Sequence, residues 1–111
     1  MMDKKLASML GFCQKAGRLA SGEVACEKAL QSGQAKLVIV AADASGNTKK
    51  KFVNKSFYYK VPCYNMLEKD DLSQAIGQQN RATVAVTGDG FAGRIEEMLK
   101  QIAEQDQQDG E

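Results

Sequence analysis

Histidine and tryptophan are absent from the 111-residue sequence, and proline occurs once. Without histidine there is no Ser-His or Cys-His pair to activate a nucleophile, and the side chain that most often moves protons near neutral pH is missing. No catalytic residue is assigned. Cys13, Cys26 and Cys63 are odd in number and far apart, form no Cys-x-x-Cys pair, and have no histidine to complete a zinc site. They read as reduced thiols of a reducing compartment, which points to the cytoplasm and to neither a metal nor a cofactor. Long apolar runs are also missing. The longest, Leu37 to Ala42, falls far short of the roughly 20 residues that a membrane-spanning helix requires, and no signal-peptide pattern opens the chain.

The sequence does hold 43% hydrophobic residues, enough to bury one core at this length. A single domain is expected over residues 1–103, followed by an acidic, Gln-rich and disordered tail over 104–111. The net charge of +1 conceals an asymmetry. Residues 1–60 contain eleven Lys/Arg and four Asp/Glu, or +7, whereas residues 61–111 contain four and ten, or −6. The first part suits a polyanion, although lysines that merely solvate helix faces would give the same count.

Apolar spacing predicts a first helix through Leu6, Met9, Leu10, Cys13 and Ala16, ended by Gly17. After a short extended piece, Ser21 is placed to cap a second helix that buries Ala25, Cys26, Ala29 and Leu30 and stops at Gly33. Lys36 to Ala42 is a continuous aliphatic run, as expected of a strand covered on both faces. A third helix from about Thr48 has Phe52, Val53, Ser56 and Phe57 as its apolar side and lysines elsewhere. A short strand at Val61–Asn65, a brief helix over Leu67–Ile76, a strand at Ala82–Thr87 and a last helix through Phe91, Ile95, Met98, Leu99 and Ile102 complete the series. Helices alternating with strands in this way predict an α/β fold, a central sheet between helix layers.

Gly88-Asp89-Gly90-Phe91-Ala92-Gly93 matches the G-x-G-x-x-G dinucleotide fingerprint and lies between a strand and a helix. The fingerprint works within a βαβ unit whose second strand carries an acidic residue for the ribose. Here only one helix follows, so the glycines read as turn punctuation.

The segment Leu19-Ala20-Ser21-Gly22-Glu23-Val24-Ala25-Cys26-Glu27-Lys28 contains a glycine that opens a helix and a lysine six residues later. Gly33-Gln34-Ala35-Lys36, the aliphatic strand and Ala42-Asp43-Ala44 then follow in order. This series resembles the L-seven-Ae and L-thirty-e superfamily of ribosomal and kink-turn-binding proteins. Ser45-Gly46-Asn47-Thr48, Tyr58-Tyr59-Lys60-Val61-Pro62 and Val84-Ala85-Val86-Thr87 look like its bacterial YlxQ-type branch. The resemblance covers about Leu6 to Leu99.

What the resemblance implies is a three-layer α/β/α sandwich with a four-stranded mixed sheet, and a non-catalytic, ribosome-associated RNA-binding protein whose partner is a kink-turn or another bent, structured RNA. Its recognition surface would join the turn into the second helix, Gly22, Glu23, Val24 and Lys28, to the loop Arg81, Ala82 and Thr83. Lys36, Lys49 and Lys50 would be peripheral phosphate contacts. From the residues alone, Lys28, Arg81 and the lysine run read equally as solvated side chains. Relatives that read kink-turns strongly carry Asn-Glu where this chain has Val24 and Ala25, which shifts the expectation from base readout towards shape and backbone recognition. Aromatics are few and core-spaced, so no aromatic stacking platform is expected. Two other readings stand beside this one, a protein-interaction module on the same fold and the recognition domain of an RNA methyltransferase.

Overall fold

Leu37, Val38, Ile39 and Val40 are all fully buried, and the reason is the position of their strand. The computed structural model describes residues 2–109, with elements in the order α1 (Lys4–Lys15), β1 (Leu19–Ser21), α2 (Glu23–Gln31), β2 (Leu37–Val40), α3 (Gly46–Tyr58), β3 (Cys63–Asn65), α4 (Lys69–Ala75), β4 (Thr83–Val86) and α5 (Asp89–Asp109). The sheet order is β1-β4-β2-β3. β4 lies antiparallel to both β1 and β2, and β3 pairs parallel with β2, so the sheet is four-stranded and mixed as expected.

Side chains alternate across a strand, and β2 and β4 divide two cores accordingly. Leu37, Ile39, Val84 and Val86 face the layer of α1, α4 and α5, where they meet Leu6, Leu10, Leu72, Ile95 and Leu99. Val38, Val40 and Ala85 face α2 and α3, where they meet Cys26, Leu30 and Phe52. A strand buried on both sides has no polar position to spare, hence the unbroken aliphatic run.

Helices α1, α2 and α4 each end on a glycine at positive φ, Gly17, Gly33 and Gly77. In α1 the Gly17 N–H donates to the Gln14 carbonyl and the Arg18 N–H to the Cys13 carbonyl, the paired bonds of a Schellman ending. Lys60 fills the same place after α3, at φ 61.

Three expectations differ from the structure. Ser21 does not cap α2; it closes β1 opposite Val84, and Gly22 takes the N-cap place with no side-chain bond. In α3, Phe52 and Ser56 turn inward, whereas Val53 and Phe57 are 48% and 86% exposed. The buried ridge thus lies about 100° round the helix from the second half of the expected apolar set. Finally, α5 continues past Ala103 to Asp109, since Glu and Gln propagate a helix well. Gly110 and Glu111 lie outside the described residues. No helix among the described residues is long and apolar enough to cross a membrane.

Candidate functional site

Because β4 runs against β1 and β2 while β3 runs with β2, the carboxyl ends of β1, β2 and β3 gather at the amino end of β4. There the turn into α2 lies beside the loop that leads into β4. The Gly22 N–H donates to the Thr83 carbonyl at 2.9 Å, and the Ala41 N–H to the Ala82 carbonyl at 2.8 Å. Gly22 has φ 90 and ψ 158, a region that only glycine enters at little cost. With a glycine at the N-cap, no side chain caps the first N–H groups of α2. They form an uncapped positive helix end.

Arg81 is drawn into the protein more than a loop arginine need be. Its Nε donates to Ser21 Oγ at 3.1 Å, Nη1 to the Gln79 carbonyl at 3.1 Å and Nη2 to Gln78 Oε1 at 3.4 Å. Two of the five guanidinium N–H donors remain. The loop backbone is fixed from below by buried Ser73, whose Oγ accepts from the Arg81 N–H at 2.8 Å and donates to the Arg81 carbonyl at 3.2 Å. Asn80 takes the left-handed conformation, φ 58, one residue earlier. The guanidinium is therefore a brace between the two halves of the site as well as a charge.

On α2, Glu23 and Glu27 share one face and Val24 and Lys28 another, as i, i+4 spacing requires. The acidic face is tied to α3. Thr48 Oγ1 donates to Glu23 Oε1 at 3.1 Å, Ser45 Oγ donates to Thr48 Oγ1 at 3.0 Å, and Lys51 pairs with Glu27. The other face is open, with Val24 69% exposed and Lys28 exposed beside it. Lys28 has no carboxylate partner among the described residues.

The structure thus brings Gly22, Glu23, Val24, Arg81 and Ala82 to one end of the sheet, while Lys28 follows one turn beyond Val24 on the same face, in the last turn of α2. Thr83 belongs there through its backbone alone, since its side chain is fully buried. Half-buried Lys49 and exposed Lys50 stand next to Thr48 in the first turns of α3. Lys36 is elsewhere. It precedes β2, donates its N–H to the Val86 carbonyl at the far end of β4, and sets Nζ 3.5 Å from the Gly33 carbonyl. Ser21, Thr48 and Ser73 were not among the expected site residues. Ser21 was singled out only as the expected cap of α2 and Thr48 only as the expected start of α3, and no sequence signal pointed to Ser73.

Gly88 and Gly90, at the turn from β4 into the first turn of α5, sit at that far end, beside a recess lined by Phe12, Arg18, Phe91 and Arg94. The strand before them, β4, is antiparallel to both neighbours, whereas a dinucleotide crevice opens between parallel strands. The turn brings Gly88 close to the Arg18 stem, where an added Cβ would meet Arg18 Cβ at 3.3 Å.

Of the perturbed acids, Cys26 is buried beneath the start of α2 beside Thr83, and Cys13 and Tyr64 belong to the other core. Burial pushes the Cys26 thiol up to about 12 and the Cys13 thiol to about 11. Burial and a 2.8 Å hydrogen bond to Glu96 raise Tyr64 to about 12. These thiols are protonated at neutral pH and are poor nucleophiles.

Residues 4–95 match the ribosomal protein L7Ae/L30e/S12e/Gadd45 family. The chain is 36% identical over 97 residues to an RNA-binding protein YlxQ of Enterococcus faecium, covering 87% of this chain and 93% of that one. It is 40% identical over 91 residues to the RNA-binding protein YlxQ of Bacillus subtilis (strain 168), covering 82% and 91%. Among solved structures, a protein of unknown function from Bacillus halodurans C superposes with a TM-score of 0.84 at 34% identity, over 88% of this chain and 99% of that one. The Giardia lamblia 15.5kD RNA binding protein gives a TM-score of 0.71 at 17% identity, over 93% and 92%, which concerns the fold alone. With its family match spanning most of its length and its relatives covered almost end to end, the chain belongs to the ribosomal protein L7Ae/L30e/S12e/Gadd45 family.

Proposed function

We propose that this chain is a non-catalytic, cytoplasmic, ribosome-associated RNA-binding protein that holds a kink-turn or a similarly bent RNA between the first turn of α2 and the loop 78–82. The observation that carries this reading is the uncapped start of α2 at Gly22, locked by a backbone bond to Thr83 beside the Arg81 guanidinium. Backbone N–H groups at a helix start donate to a phosphate or to an acceptor on a base edge without a long side chain, and glycine permits close approach. The family and the names of both YlxQ relatives support RNA as the partner.

Binding favours the bent RNA because the site contacts that shape better than the extended one. Val24 and Ala25 offer no side-chain hydrogen bond to a base, so selectivity falls to backbone groups, to Glu23 as oriented by Thr48, and to the fit of the cleft. Lys28, Lys49, Lys50 and the two remaining donors of Arg81 supply phosphate contacts.

Exposed Val24 favours one other reading, in which the same face docks a protein. Salt separates the two. With about five phosphates engaged, the logarithm of the RNA association constant is expected to fall against log salt with a slope near −4. An apolar protein interface responds little to salt. A slope near zero for RNA would remove the electrostatic basis of the RNA reading.

A further inference from the structure

The outer face of α3 is left bare by the fold. Phe57 and Tyr58 are 86% and 76% exposed and Val53 is 48% exposed, although two cores were available to take them. The segment from Ser45 to Pro62 holds Lys49, Lys50, Lys51, Lys55 and Lys60 and no acidic residue. Lys51 is paired with Glu27; the other four have no carboxylate partner among the described residues. Lys50, Val53 and Phe57 follow one another at helical spacing, and Phe57, Tyr58 and Lys60 edge a shallow recess beside Pro62. The Tyr58 ring is oriented by an edge-to-face contact with Tyr59, ring centres 4.9 Å apart, and Tyr59 in turn packs against the second core.

Bare aromatic rings flanked by unpaired cations, with no carboxylate among them, suit a ligand that offers flat faces and negative charge together. Unpaired nucleotides do so, since bases stack on aromatic rings while phosphates meet lysines. α3 is also joined to the site at its other end through the Thr48–Glu23 hydrogen bond. Its 13 residues span about 20 Å at the helical rise, a path along which a strand leaving the site can run.

We propose that Phe57 and Tyr58, with Lys50 and Lys60, form a second RNA-binding surface that stacks unpaired nucleotides flanking the structured element held at α2. As a flanking surface it rests on the RNA reading above, but its own affinity for a single strand is separable from that reading.

The full chain is titrated with two probes, a short single-stranded oligoadenylate and a blunt-ended kink-turn RNA. The double variant Phe57→Ala/Tyr58→Ala is expected to bind oligoadenylate about tenfold or more weakly and the blunt RNA as the wild type does. Lys28→Ala is expected to give the opposite pattern. Both aromatic side chains are in solvent, so the variant is expected to keep its fold, checked by its melting curve. Phe57→Leu keeps the apolar bulk but not the ring face and is expected to bind oligoadenylate as weakly as Phe57→Ala. Failure of the wild type to bind oligoadenylate, unchanged binding by the double variant, or full rescue by leucine would each overturn the proposal, the last in favour of apolar docking by a protein. Loss of the blunt-RNA preference alone, with the aromatic effect intact, would count against the α2 site and leave this surface standing.

Discussion

Gly22→Ala is expected to destabilise the fold by about 1–3 kcal/mol and to remove the binding of structured RNA. The cause is local. At φ 90 and ψ 158 a Cβ strains the backbone of residue 22 itself, while the nearest tertiary atom, Arg81 Cδ, would still be 3.9 Å away. The non-glycine residues of positive φ among those described, Lys60, Leu67 and Asn80, lie at φ 58–70 and none comes near 90. An alanine at 22 is relieved by moving towards negative φ, which turns the first N–H groups of α2 away from the cleft and breaks the 2.9 Å bond to Thr83. A melting curve reads the stability change, roughly 4–8 °C for each kcal/mol in a domain near this size. Gly93→Ala serves as the control, because position 93 is inside α5, has no positive φ and has open space around it. Its effect is expected to be neutral or favourable by about 0.5–1 kcal/mol. Equal melting temperatures for Gly22→Ala and the wild type would contradict the strained turn.

Arg81→Lys is expected to weaken binding of structured RNA about tenfold or more even though the charge is kept. A guanidinium reaches Ser21 Oγ, the Gln79 carbonyl and Gln78 Oε1 at once and keeps two donors for RNA. An ammonium is a point charge on a flexible stem and cannot span those partners together. The loop itself should persist, because Ser73 holds residue 81 through its backbone. The predicted result is therefore a large loss of affinity with only about 1 kcal/mol of lost stability. Affinity equal to the wild type would mean that Arg81 contributes charge alone.

Much of the fold was legible because its signals are local. The aliphatic run at 37–40 could be buried only between two layers, and Gly17 and Gly33 marked helix ends by their freedom at positive φ. The α3 face was misread for a physical reason. Phe52, Val53, Ser56 and Phe57 make two adjacent stripes, and hydrophobicity favours the one with Phe57, yet the small Ser56 is the residue that turns inward. That choice depends on packing against the sheet, and the exposure of Phe57 and Tyr58 follows from it and from no local signal. The site was partly legible in the same way. The positions of Gly22 and Arg81 followed from the resemblance, but the bonds that shape them did not. Ser21 and Arg81 are 60 residues apart, and Glu23 and Thr48 are 25 apart. Such contacts exist only once strand register brings the segments together, which is also why Lys36 looked close to the site and is not.

The most direct test of RNA-shape recognition at α2 is a titration of the protein into a kink-turn RNA and into a control whose tandem sheared G·A pairs are replaced by Watson–Crick pairs, each at low and at higher salt. The expected result is tighter binding to the kinked RNA at both salt concentrations, with the preference lost in Lys28→Ala and Arg81→Lys. Equal, weak and equally salt-sensitive binding to both RNAs would contradict it.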